Sequence, residues 1–214
     1  MPDLAEFFLY MIVFLFSLSL HEAAHAWTAE RFGDPTARYL GRVTLNPIPH
    51  VDIFGTLIFP AIGFFTNAPM FGWAKPVPWN PRNVADRRKA DIWISAAGPI
   101  SNVLALVGFI VIYRLFRLYD ASGSDALGSL AEPLFRMCQM GVQLNVVLAV
   151  FNMLPIPPLD GSWILPHFLP RNLAQAYEQI RPYGFLILLL CLSLGVFQIV
   201  LFPFLGVVYM VMRL

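Results

Sequence analysis

Two histidines and a glutamate stand together at His21-Glu22-Ala23-Ala24-His25. On a helix, residues i and i+4 share a face, so both imidazoles can reach one ion at zinc–nitrogen distances of about 2.0–2.1 Å. Glu22 lies beside the first ligand, where a carboxylate can take a proton from an activated water. The pattern fixes only three residues and is weak in a soluble domain. Here it falls in an apolar stretch, where an acid near the bilayer centre costs roughly 2.5 kcal/mol or more and requires a partner. Two core histidines with a satisfied glutamate, the plainer alternative, suit such a stretch poorly.

A catalytic zinc takes three protein ligands and keeps one position open. Candidates for the third are Glu30, Asp34, His50, Asp52, Asp160 and His167. Asp160 ends the uncharged run 137–159, follows the helix-breaking Pro155, Pro157 and Pro158, and precedes Gly161. An interfacial acid or a helix cap is its plainer reading. Asn152, at the preceding helix end, either donates to a substrate carbonyl or bonds backbone freed by the prolines. His50, in a proline-rich segment beside Asp52, has three readings: an inhibitory fourth ligand, a substrate contact, or a tie to a loop carbonyl. Asn102 follows Gly98-Pro99 and Ser101, whose small side chains favour close helix packing. It could bond across helices or steady a ligand histidine from behind. His167, after Pro166, reads as solvated or snorkelling.

These residues require a scaffold inside a membrane. The chain has 214 residues, 58% hydrophobic and only 13% charged, against about 25% charged in soluble domains. Mean hydropathy is +0.66. A net charge of +1 offers no nucleic-acid footprint. Cys138 and Cys191 form no CxxC, which excludes a disulfide framework and speaks against a thiolate metal site. The length suits one domain, 1–214, without an appended soluble module.

Stretches 7–28 (broken by Glu22), 53–74, 92–113, 137–159 and 182–212 are each long enough, at about 20 residues or more, to cross a bilayer as helices. The fold expected is an α-helical polytopic membrane protein with about four to six transmembrane helices. Ala24-His25-Ala26 mimics a signal-peptidase site, but no Lys or Arg precedes Arg31. The second stretch is crowded with prolines between Pro47 and Pro81, and Val43-Thr44-Leu45 and Thr56-Leu57-Ile58-Phe59 suggest short strands. A membrane-embedded re-entrant or β-hairpin region is therefore expected at roughly 41–74. Re-entry puts the basic segments 30–50, 75–91 and 160–182 on the cytoplasmic side, as the positive-inside rule asks. It also brings Asp160 to the membrane face of His21 and His25. A kink or split is open at Pro203 in the last stretch. Trp73, Trp79 and Trp93 flank the spans as interfacial anchors.

In the order GRVTLNPIPHVDIFGT at 41–56, GWAKPVPWN at 72–80, AGPISN at 97–102 and FNMLPIPPLDG at 151–161, with HEAAH at 21–25, the chain resembles the site-2 proteases. These are intramembrane zinc metalloproteases, and the likeness is closest to short members without a PDZ or CBS domain. The resemblance implies one Zn2+ per chain held by His21, His25 and Asp160, Glu22 as general base, and Asn152 as the asparagine that binds substrate or transition state. It implies a transmembrane protein or peptide as substrate, received in extended form at the edge around 41–59, within a lipid bilayer. A homo-oligomer or an adaptor protein is an open partner. The expected location is a prokaryotic cell membrane, multi-pass, with the active site nearer the cytoplasmic face. A metal-transporting membrane protein and a catalytically idle scaffold are the rival functions. A transporter should show inverted repeats, and none is visible.

Overall fold

The computed structural model describes residues 3–66, 72–121 and 128–213. Residues 122–127, and residues 67–71 of the expected re-entrant region, lie outside them. The helices are α1 (Leu4–Arg31), α2 (Thr36–Tyr39), α3 (Phe59–Thr66), α4 (Arg87–Ala121), α5 (Ala131–Asn152), α6 (Gly161–Ile164), α7 (Arg171–Ile180), α8 (Gly184–Ser193) and α9 (Val196–Arg213). A π-helical segment, Ile53–Ile58, runs directly into α3.

Among the described residues, three helical stretches are long and apolar enough to cross a membrane: Leu4–Arg31, Arg87–Tyr119 and Gly128–Asn152. The pair 171–193 and 196–212, bent by 65°, offers a fourth. The count sits at the lower end of the four to six expected. α1 starts where the Asp3 carboxylate accepts the Ala5 N–H at 3.0 Å. α4 starts where Asp86 accepts the Lys89 N–H at 3.0 Å, and it continues through Pro99. α5 stops at Asn152, ahead of the prolines that cannot continue it.

α1, α4 and α5 pack on one another and carry the site. Met11, Phe14 and Leu18 of α1 bury against Leu144 of α5. Ala29 of α1 meets Ala90 and Ile94 of α4, and the two small alanines let these helices approach closely. Val142 and Val146 of α5 pack against Leu201 and Val208 of α9. The outward faces stay apolar, with Phe8, Leu104, Leu186 and Ile199 exposed. Such a surface suits lipid, where a helix satisfies its own backbone.

Two expectations are corrected. No strand is present among the described residues, so the strands read at 43–45 and 56–59 do not form. Residues 56–59 are helical because Asp52 caps the segment. Its Oδ1 accepts the Gly55 N–H at 2.8 Å, and its carbonyl accepts from Thr56 at 2.8 Å. In apolar surroundings, self-satisfied helical backbone outweighs the weak strand preference of Thr and Ile. Residues 43–50 are curled by side-chain bonds instead. Thr44 Oγ1 accepts the Asn46 N–H, and Asn46 Oδ1 accepts the Ile48 N–H, each at 3.1 Å. The two limbs of the segment meet: Trp73 N–H donates to the Gly55 carbonyl at 3.1 Å and Lys75 N–H to the His50 carbonyl at 2.9 Å.

The last stretch breaks at Leu194–Gly195, while Pro203 lies inside α9. Gly195 adopts φ +73°. That left-handed conformation costs a residue with a Cβ roughly 1–2 kcal/mol, so glycine ends α8 there.

Candidate metal centre and active site

His21 and His25 lie one helical turn apart on α1, and both are buried. Their Nε2 atoms are 3.0 Å apart. Asp160, which opens α6 after the proline turn, places Oδ2 3.1 Å from His21 Nε2 and 3.4 Å from His25 Nε2. These three residues form the one group of potential metal ligands found among the described residues.

The triangle has the dimensions of one face of a coordination tetrahedron. Ligands at about 2.0–2.1 Å from zinc, at tetrahedral angles, stand about 3.3–3.4 Å from one another. The hydrogen bonds behind the rings agree. His25 Nδ1 donates to the Ile94 carbonyl at 2.6 Å, and His21 Nδ1 donates to Asn102 Oδ1 at 2.6 Å. With both Nδ1 atoms so committed, each ring turns its Nε2 inward. Asp160 Oδ2 is buried and has no hydrogen-bond donor. Atoms this close need a cation or a shared proton to join them, and two imidazole nitrogens with a carboxylate oxygen form a donor set that fits zinc. The Asp160 side chain retains 21% exposure, leaving the cluster a way to water.

Gly98 of α4 faces the two rings. A Cβ there would stand 2.5 Å from His21 Nε2 and would strike His25 Nε2. Glycine is what allows α4 to lie against both imidazoles. Glu22 is buried on the same turn as His21, and its Oε2 is 4.0 Å from Arg42 Nη2. Arg42 is itself buried and holds the Lys75 carbonyl. It thereby joins the general-base candidate to both limbs of the 42–75 segment.

The remaining candidates resolve as follows. Asn102 is fully buried and steadies His21, so it both packs and bonds across helices. Asn152 is half-buried at the end of α5, where Nδ2 donates to the Leu148 carbonyl at 3.0 Å. This is a bond to a carbonyl of its own helix, not one freed by the prolines, and it engages one N–H of the amide. His50 is fully buried and its Nε2 donates to the Thr44 carbonyl at 2.9 Å, tying its loop. His167 is not simply solvated: Nε2 meets Asp91 Oδ2 at 3.1 Å, and its carbonyl accepts from Arg88 at 2.7 Å. Glu30 pairs with Arg38, and Asp52 caps the π segment.

Asp34 is fully buried and anchors the turn after α1. It accepts from Thr36, from the Asn80 N–H at 2.5 Å and from Asn83 Nδ2 at 2.7 Å. Burial pushes its carboxyl up, but these donors outweigh that and hold it below the ordinary carboxylate range.

Arg42, Ser17 and Asn145 escape the sequence reading, whereas Gly98 was read only as a small residue for close helix packing. Arg42 is counted there only as a loop charge, and nothing in its spacing points to Glu22. Asn145 carried a usable signal, since an amide in the middle of an uncharged span demands a partner.

Comparison with known proteins follows from this geometry. A model of peptidase family M50 matches residues 9–192. A Bacillus subtilis protein named "Putative zinc metalloprotease YwhC" is 39% identical over 197 residues, covering 92% of this chain and 85% of that protein. "Putative zinc metalloprotease Rip2" of Mycolicibacterium smegmatis is 31% identical over 187 residues, covering 87% of this chain and 67% of that protein. The protein of the same name from Mycobacterium tuberculosis H37Rv is 32% identical over 203 residues, with 91% and 69% covered. No solved structure matches significantly.

Proposed function

Because the chain belongs to peptidase family M50, the site-2 proteases, we propose that it is an intramembrane zinc metalloprotease that hydrolyses a peptide bond in or near a transmembrane segment of a membrane protein. The observation that carries this reading is the meeting of His21 Nε2, His25 Nε2 and Asp160 Oδ2 within 4.8 Å of one another, beside Glu22. His21, His25 and Asp160 hold the ion. Zinc bound there supplies Lewis acidity, which makes water nucleophilic near neutral pH and polarises a carbonyl oxygen.

Glu22 takes the proton of the attacking water on a carboxylate oxygen and passes it to the leaving amine nitrogen. Arg42, 4.0 Å away, keeps that carboxylate paired in its buried setting. The other amide N–H of Asn152 is available to the developing oxyanion. Asn102 and the Ile94 carbonyl keep both ligand rings turned inward.

An apolar groove lined by Leu20, Ala23, Ala24, Trp27, Val43 and Leu45 lies between α1 and the curled 43–45 segment. Its apolar lining supports a transmembrane segment as the substrate. The backbone bonds between the limbs of the 50–75 segment support re-entry from one membrane face. With the positive-inside rule, they support an active site nearer the cytoplasm. A homo-oligomer or adaptor protein stays open as a partner.

The test is Glu22→Gln in purified protein reconstituted with a model transmembrane substrate. The variant retains zinc and loses cleavage by about 10²-fold or more. Cleavage at the wild-type rate would refute the assignment.

A further inference from the structure

The two ligand histidines are held from behind in different ways. His25 Nδ1 donates to a backbone carbonyl, that of Ile94. A carbonyl can only accept, so the tautomer of His25 is settled. His21 Nδ1 donates to Asn102 Oδ1, one end of a side-chain amide. The two ends of an amide have nearly the same shape and opposite hydrogen-bonding sense. Rotated by half a turn, Asn102 would present Nδ2 to His21. Nδ1 would then become the acceptor, the proton would move to Nε2, and the ring would aim N–H at the ligand cluster. Something must hold the Asn102 amide in its present sense.

Two groups face Asn102 Nδ2. The Ser17 carbonyl accepts at 3.3 Å, a long contact, and Asn145 Oδ1 accepts at 2.9 Å. Asn145 is an amide too, and its sense is settled by an acceptor of fixed kind. Its Nδ2 donates to the Gly141 carbonyl at 2.8 Å and to Ser17 Oγ at 2.9 Å. The directions therefore run from the Gly141 carbonyl through Asn145 and Asn102 to His21, across α5, α4 and α1. Ser17, Asn102 and Asn145 are all fully buried. Water cannot substitute for a missing partner there, and a reversed amide would set like groups against each other.

We propose that Asn145 is a positioning residue that sets the tautomer of His21, acting through Asn102, and so keeps the His21 Nε2 lone pair available to the metal. This rests on the reading that His21 ligates through Nε2. The plainer role for a buried asparagine between membrane helices is glue that holds the helices together.

The test reads the tautomer directly. Metal-free protein carrying ¹⁵N-labelled imidazole rings is examined by NMR in micelles, with zinc affinity measured separately by chelator competition. In the wild type, His21 carries a proton on Nδ1, hydrogen-bonded to Asn102 Oδ1. In Asn145→Leu the Nε2-protonated form of His21 appears, the His25 signals stay in place, and zinc affinity falls about tenfold. Asn145→Asp keeps an acceptor towards Asn102 in nearly the same volume and retains the wild-type tautomer. The double variant Asn102→Leu/Asn145→Leu binds zinc no more weakly than Asn102→Leu alone, because one residue acts through the other. The proposal is overturned by a folded Asn145→Leu protein with an unchanged His21 tautomer, by a switched tautomer in Asn145→Asp, or by additive losses in the double variant. A wild-type protein that binds no zinc would sink the metal reading instead, and the metal-free spectra would still decide this inference.

Discussion

Gly98→Ala is the sharpest single perturbation of the metal centre. The added methyl carbon would stand 2.5 Å from both Cε1 and Nε2 of His21, and closer still to His25 Nε2. Ordinary contacts between heavy atoms lie at about 3.5 Å, so the rings or the α4 backbone must give way by about 1 Å. Neither has room. Retreat of the rings breaks the 2.6 Å bonds to Asn102 and the Ile94 carbonyl. Retreat of α4 opens the packing of Ala29 on Ala90 and Ile94. A zinc site tolerates about 0.2 Å in its bond lengths, so a shift five times that size would displace both proposed nitrogen ligands. Loss of a supporting partner typically costs 10–100-fold in metal affinity, and displacement of two ligands belongs at or beyond about 100-fold. The assay is chelator competition for zinc on purified protein, beside thermal unfolding. Gly108→Ala on the same helix meets nothing within 4 Å and serves as the control, with unchanged affinity. If Gly98→Ala binds zinc as tightly as wild type while Gly108→Ala behaves as expected, the packing of α4 against the ligands has been misjudged.

Chelation should abolish cleavage of a model substrate, and added zinc should restore it; activity that survives complete metal removal contradicts the proposed chemistry. Asp34→Ala orphans the donors of Asn80, Asn83 and Thr36 and should cost about 3 kcal/mol, measured as denaturation of the purified protein. A carboxyl held low in the folded state adds stability above its unfolded-state value of about 3.9 and loses it as pH falls through the lower folded value. The stability gap between wild type and Asp34→Asn should therefore narrow as pH is taken from about 5 towards 2; a constant gap contradicts this. Gly195→Ala should cost roughly 1–2 kcal/mol because its φ is +73°. Pro203→Ala should leave the 65° bend in place, and spin-label distances across the break would show it.

Much of the site was legible in the chain. The i, i+4 spacing of His21 and His25 projects both rings from one helix face whatever surrounds them. The prolines before Asp160 had to end α5 near the membrane surface. The apolar runs 92–113 and 137–159 read directly as spans. The errors fell where two local rules competed. Strand-favouring residues at 56–59 lost to the Asp52 cap, and a mid-helix Pro203 proved less disruptive than Gly195, whose positive φ no spacing rule reveals. Arg42 was invisible because its partner, Glu22, lies on another element.

By itself, then, the sequence determined which groups were available and how those close along the chain face one another, since helix geometry and proline breaks are local. Tertiary structure alone decided that Asp160 meets the histidines, that Arg42 meets Glu22, and that Asn102 turns its oxygen to His21 with Asn145 behind it. Those relations depend on how α1, α4 and α5 pack. Packing is set by many side chains far apart in sequence, each contributing little, so no single motif records it.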